Sequence, residues 1–100
     1  MTRLTTTFVE LLTSPNCIHS PRAARVATQV IKEMEAVHFK EISMVTDYGK
    51  EVAQEYGVDR TPAFAINGRI AYIGVPTPEK LRQLISEAAY DERSRDSYFF

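Results

Sequence analysis

The sequence predicts an α/β domain: a four-stranded mixed sheet with helices on both faces, in the element order β-α-β-α-β-β-α. Three observations carry this prediction. The run Thr7-Phe8-Val9-Glu10-Leu11-Leu12-Thr13 is short, β-branched and mostly apolar, and it stops at the turn residues Ser14-Pro15-Asn16. Apolar residues then recur at helical spacing from Pro21 onward. Finally, Asn67-Gly68 separates two apolar runs, the strongest short-range hairpin signal a sequence offers. One hundred residues, 44% of them hydrophobic, suffice for one modest core. A single domain over 1–100 is expected, with its core over about 7–89 and a C-terminal tail over 90–100.

The elements follow in order. In the first helix Ala23, Ala27, Val30, Ile31 and Met34 share one face, with Arg22, Arg25, Lys32 and Glu33 on the other. Val37-His38-Phe39-Lys40 and Ile42-Ser43-Met44-Val45 predict a second strand, but the apolar phase slips between Phe39 and Ile42, which leaves a bulge or an imprecise strand boundary open there. Asp47 is positioned to cap a short helix with Val52, Ala53 and Tyr56 facing inward, and Gly57 suits the left-handed position past its end. Pro62–Ile66 and Arg69–Ile73 make the hairpin, in which Phe64 and Tyr72 serve the core. Thr77-Pro78-Glu79 opens a last helix carrying Leu81, Leu84, Ile85 and Ala88. For the tail ending in Tyr98-Phe99-Phe100, fraying, docking on the domain and a dimer contact all remain open. A right-handed crossover makes the first two strands parallel, and the hairpin completes the mixed sheet.

Composition excludes several function classes. A formal charge of −1 supplies no basic field for phosphate backbones, so nucleic acid is not an expected partner. No run approaches the ~20 apolar residues of a membrane span, and Met1–Thr7 lacks the apolar stretch of a signal peptide, so the chain reads as cytoplasmic. One cysteine excludes an internal disulfide framework, and two separated histidines with that cysteine fall short of a metal set.

The chemistry-bearing segment is Cys17-Ile18-His19-Ser20, between the first strand and the first helix. A cysteine at a helix N-terminus faces unpaired backbone N–H groups and the positive end of the macrodipole, which lower a thiol pKa from ~8.5 into roughly the 3.5–7.5 range. The helix begins either at Cys17 with Asn16 as cap or at Pro21 with Ser20 as cap. Ser20, three residues on, shares a helical face with Cys17 and can donate a hydrogen bond to its thiolate, but it cannot close a disulfide. A plain N-cap role and an engineered Cys-to-Ser exchange are the other readings of Ser20. His19, if protonated, favours the thiolate further; solvation in the loop is its simpler role. Arg22 and Arg25 either add positive potential beside Cys17 and attract a carboxylate-bearing thiol such as glutathione, or form the solvated face of the helix. His38 reads as a surface or edge residue. A lone buried cysteine acting as a small hydrophobe is the plain alternative for Cys17.

Ser14-Pro15-Asn16-Cys17-Ile18-His19-Ser20-Pro21 after the first strand, with Gly57-Val58-Asp59-Arg60-Thr61-Pro62 before the third, resembles the thioredoxin and glutaredoxin superfamily over about residues 7–89. The likeness is nearest to small prokaryotic glutaredoxin-like proteins, with a Cys-x-x-Ser in place of the family's Cys-x-x-Cys. By that resemblance the fold is thioredoxin-like, the Thr61–Pro62 bond is cis and lies against Cys17, and Thr61, Pro62 and Arg22 face the substrate. Catalysis would rest on Cys17, Ser20 and His19. Leu11 stands where thioredoxins bury an aspartate, and Tyr72-Ile73-Gly74-Val75-Pro76 lacks the Gly-Gly-Asp type of signature that holds glutathione. The implied function is a monothiol oxidoreductase acting on protein or glutathione mixed disulfides, with no required cofactor and glutathione as a possible thiol co-substrate. The chain would be a monomer or weak homodimer. The rival functions are a redox-inactive interaction module that docks a peptide in the groove around Ser14–Ser20 and Thr61-Pro62, and a glutathione-dependent iron–sulfur carrier.

Overall fold

The computed structural model describes residues 6–98, with side-chain surroundings given through Tyr90. The elements are β1 (Thr7–Thr13), α1 (Ser20–Glu33), β2 (Val37–Ser43), α2 (Asp47–Tyr56), β3 (Ala63–Ile66), β4 (Arg69–Ile73) and α3 (Pro78–Tyr98). Their sheet order is β2-β1-β3-β4, with β1 parallel to β2 and antiparallel to β3, and β3 antiparallel to β4. This is the thioredoxin-like topology expected from the sequence.

Alternation along the strands divides the interior in two. Val9 and Leu11 of β1 with Phe64 and Ile66 of β3 pack against Ala23, Ala27 and Val30 of α1 and Leu81 and Ile85 of α3. On the opposite face Leu12, Ile42 and Ala63 pack against Val52 and Ala53 of α2. Helices therefore cover both faces, α1 and α3 on one and α2 on the other. Arg82 of α3 also pairs with Glu33 of α1 at 2.9 Å, an exposed link that contributes little beside the apolar contact.

Several local expectations change. Of the two alternatives for β2, the bulge is absent, since β1 and β2 pair without interruption from Thr7↔Val37 to Thr13↔Ser43, whereas the boundary does move, to Ser43. The phase slip has another cause: Val37 and Phe39 pack towards the α1 and α3 side, whereas Ile42 serves the α2 side. One strand thus serves a different core at each end, and Met44 and Val45 fall beyond it. The register shift occurs instead between Phe64 and Ala65, opposite Tyr72 and Ile70 of β4.

Thr46, not Asp47, caps α2: its hydroxyl accepts from the Gly49 N–H at 2.9 Å and donates to the Ser43 carbonyl at 2.8 Å. Gly49 is required at this contact because a Cβ there would lie 1.8 Å from the Ser43 oxygen. The helix ends as expected at Gly57, with φ 68°.

Asn67 and Gly68 both have positive φ, 50° and 83°, which identifies the two-residue turn that matches strand twist. Thr77 caps α3 through a 3.1 Å bond from the Lys80 N–H. That helix then runs to Tyr98 through the segment assigned to a tail, where Tyr90–Tyr98 contains no glycine or proline to end it. What the side chains of Tyr98-Phe99-Phe100 touch lies outside the described residues.

Candidate active site

Parallel pairing brings the C-terminal ends of β1 and β2 to one edge of the sheet, and antiparallel pairing brings the start of β3 there too. The β1–α1 loop and the Thr61–Pro62 turn consequently meet. Cys17 Sγ lies 3.2 Å from the Thr61 carbonyl oxygen, and the Thr61–Pro62 peptide bond is cis. Pro62 is fully buried, and its carbonyl accepts the Gly74 N–H at 2.8 Å, tying the end of β4 to the same corner.

The loop is held by its own backbone. The Cys17 N–H donates to the Ser14 carbonyl at 3.0 Å, and the Ser20 N–H donates to the Cys17 carbonyl at 3.3 Å. The first helical residue is Ser20, with Pro21 behind it and His19 in the cap position, where no side chain makes a capping bond. Neither expected cap, Asn16 or Ser20, is used. The reason is visible at Ser20: only 5% exposed, its hydroxyl oxygen accepts the Ser14 N–H at 3.3 Å and so braces the loop. Its hydroxyl hydrogen remains available to Cys17.

That hydrogen is the main electrostatic feature of the site. The thiol of Cys17 is lowered from 9.0 to about 7, first by the Ser20 hydroxyl, then by the Thr61 side chain, and further by the backbone N–H groups of His19 and Ser20, against a smaller opposing effect of burial. The Thr61 carbonyl acts the other way, because a carbonyl can pair only with the protonated sulfur. Ionisation therefore releases that contact and strengthens the one to Ser20. Since the folded state lowers the pKa, ionisation of Cys17 adds stability that is fully present above about 9 and is lost as pH falls through about 7.

Replacing Ser20 with alanine removes the largest of these effects. In Ser20→Ala the pH midpoint for alkylation of Cys17 moves up toward 9.0. The rate at pH 7 falls by between twofold and about fiftyfold, the latter if the whole shift is lost, while the rate well above pH 9 stays the same. A pH profile of iodoacetamide labelling reads both limbs.

The other candidates separate. His19 is exposed and contributes to the sulfur through its backbone N–H. Arg22 is exposed and lines, with Arg25, a cavity beside Val75 and Pro76 that does not include Cys17. His38 lies edge-on to Phe8, with ring centroids 5.6 Å apart, away from the loop. Ile18, next to the thiol, is 83% exposed and leaves an apolar side chain at the rim.

One participant was missed. Glu41 lines the cleft of about 430 Å³ that also contains Cys17 and Ser20. Its only sequence signal is a charge interrupting the apolar residues between Phe39 and Ile42. Outside the residues lining that cleft, Tyr56 donates to Glu10 at 2.5 Å, joining α2 to β1, and burial followed by this bond raises its phenol to about 12. Among the described residues no cluster of three or more His, Cys, Asp or Glu could hold a metal ion, and no helix is long and apolar enough to cross a membrane.

Comparison with known proteins agrees with this fold. A family model described as a thioredoxin domain matches residues 8–86. A thioredoxin of Methanocaldococcus jannaschii is 41% identical over 80 residues, covering 79% of this chain and 92% of that protein. A probable thioredoxin of Archaeoglobus fulgidus is 39% identical over 77 residues, covering 77% and 84%. Among solved structures, a protein disulfide oxidoreductase from Aeropyrum pernix superposes with a TM-score of 0.72 at 27% identity, covering 87% of this chain and 39% of that longer one. A mutant thioredoxin from Halobacterium salinarum shares the fold, with a TM-score of 0.70 at 17% identity over 85% of this chain and 76% of that one. The two sequence relatives are named thioredoxins, and neither name carries the nearer likeness to glutaredoxin-like proteins that the motif suggested.

Proposed function

The chain belongs to the thioredoxin domain family, and from that premise we propose that it is a thiol–disulfide oxidoreductase of monothiol type acting through Cys17. The observation that carries the reading is the pairing of Cys17 with Ser20 and Thr61: a reachable sulfur, lowered to about 7, at the corner where the cis peptide lies. At neutral pH about half of such a thiol is thiolate, the form that attacks disulfides.

In the first step the Cys17 thiolate attacks one sulfur of a substrate disulfide. The Cys17–substrate S–S bond forms, and the other sulfur leaves with the electron pair and takes a proton from water. Ser20 holds the thiolate before attack and stabilises it again as leaving group. Thr61 offers the surface beside the sulfur on which an extended substrate rests, the buried Pro62 supports that turn from beneath rather than facing the substrate, and His19 contributes its backbone N–H. Arg22 is assigned to substrate recognition outside the Cys17 cleft. Because the residue three positions on is serine, the mixed disulfide cannot resolve internally, and a second thiol must release it. Glutathione or a protein thiol fits that role, with no resident cofactor.

The test is to mix the reduced protein with a glutathionylated peptide and follow its intact mass. An adduct confined to Cys17, which persists until a second thiol is added, is the expected result. In Ser20→Cys the adduct collapses without added thiol, as an internal disulfide displaces the substrate. No adduct at a tenfold excess of disulfide contradicts the proposal.

A further inference from the structure

Two cavities flank the first turn of α1, and their charged lining residues have opposite sign. The cleft that Cys17 lines is walled by the hydroxyl residues Thr13, Ser14, Ser20 and Ser43, and its one charged lining residue is Glu41. Glu41 lies on β2 in register with Leu11, is exposed, and is oriented by a 3.4 Å bond from the Thr13 hydroxyl. Arg22 and Arg25 line the other cavity, which Cys17 does not share. A thiol that enters the Cys17 cleft therefore meets a carboxylate, and the arginines that could neutralise an anionic thiol line a separate space.

We infer that Glu41 is a specificity-determining residue that makes the Cys17 site prefer cationic thiols, such as a cysteine flanked by lysine or arginine, over carboxylate-bearing thiols such as glutathione. The inference rests on the monothiol reading and names the charge class of the thiol that completes it. In the resolving step an incoming thiolate, its proton already given to solvent, attacks the outer sulfur of the Cys17 mixed disulfide. A new disulfide forms between the incoming thiol and the former substrate, and Cys17 Sγ leaves with the electron pair as thiolate. No further oxidant or reductant is needed. A unit charge held within about 6 Å in a water-like dielectric changes the local concentration of a charged reactant about threefold in each direction, so thiols of opposite charge differ about tenfold at low salt. Screening at an ionic strength of a few tenths molar removes most of that difference.

The experiment uses the full chain with Cys17 converted to its mixed disulfide with 2-mercaptoethanol. Release is timed with cysteamine and with 3-mercaptopropionate. Each rate is expressed per thiolate and divided by that thiol's rate on 2-hydroxyethyl disulfide, which removes intrinsic reactivity. The expected normalised ratio favours cysteamine by about tenfold at low salt and shrinks as salt is added. In Glu41→Gln it falls close to one, and in Glu41→Lys it inverts. A ratio of one in the unsubstituted protein, or a cationic preference that survives Glu41→Gln, overturns the inference while leaving the exchange reading intact. Failure to form the mixed disulfide at all overturns both.

Discussion

Cys17→Ser is expected to reduce thiol–disulfide exchange to the rate seen without protein. Cys17 is the one cysteine in the chain, so no second sulfur can substitute for it. A serine hydroxyl in the same place lacks both the ionisation near neutral pH and the sulfur needed to form an S–S bond. Every other group assigned to the site acts on that sulfur: Ser20 donates to it, Thr61 lies 3.2 Å away, and His19 presents an N–H. Their removal changes the rate by factors, whereas removal of the sulfur ends the reaction. Cys17 makes no contribution to either apolar core, so Cys17→Ser should unfold at nearly the same urea concentration as the unsubstituted protein. Activity lost with stability retained, measured by peptide exchange and urea unfolding, separates a chemical role from a packing one. Partner binding that persists in Cys17→Ser with no exchange in either protein would favour the interaction-module alternative.

Phe64→Ala is expected to have the opposite profile. Phe64 is the largest fully buried side chain, and it sits in β3 between Leu11 of β1 and Tyr72 of β4. Truncation removes the aromatic volume and leaves a cavity that the neighbouring strands cannot close without shifting the β3–β4 register. The cost is about 3–5 kcal/mol, a large share of the roughly 5–15 kcal/mol that stabilises a domain of this size. The midpoint of thermal unfolding falls by about 4–8 °C per kcal/mol. Where the variant remains folded at low temperature, Cys17 keeps a depressed pKa, because Ser20 and the loop backbone rather than Phe64 set it. A Phe64→Ala protein with unchanged unfolding free energy contradicts the packing described here.

Much of this was legible in residue order. Strand β1 and the Asn67-Gly68 turn were readable because alternation and turn chemistry are local, and the turn residues adopt the positive φ values that those residue types tolerate. Cys17 and Ser20 were readable as a pair because of their three-residue spacing, although the structure joins them across the turn that precedes α1, where the Ser20 N–H donates to the Cys17 carbonyl, and not on one helix face. What failed was whatever depended on tertiary partners. The phase slip in β2 left a bulge or an imprecise boundary open, yet it records a strand whose two ends face different helices. Asp47 and Ser20 are good capping types, but Thr46 reaches Gly49 and Ser20 instead braces Ser14. Glu41 was invisible as a site residue because its nearness to Cys17, 24 positions away in sequence, arises only when β2 pairs with β1. Arg22, by contrast, lines with Arg25 of the same helix a different cavity from the cleft it was expected to serve.

The central claim is that the sulfur of residue 17 is held partly ionised at neutral pH by Ser20, Thr61 and the loop backbone. Its most direct test is the rate of iodoacetamide alkylation from pH 5 to 11, with the folded protein and with a denatured sample. Because the chain has one thiol, the profile belongs to one group. The account predicts a single sigmoid with its midpoint at about 7 in the folded protein and near 9.0 after unfolding. A folded-state midpoint coincident with the unfolded one contradicts it.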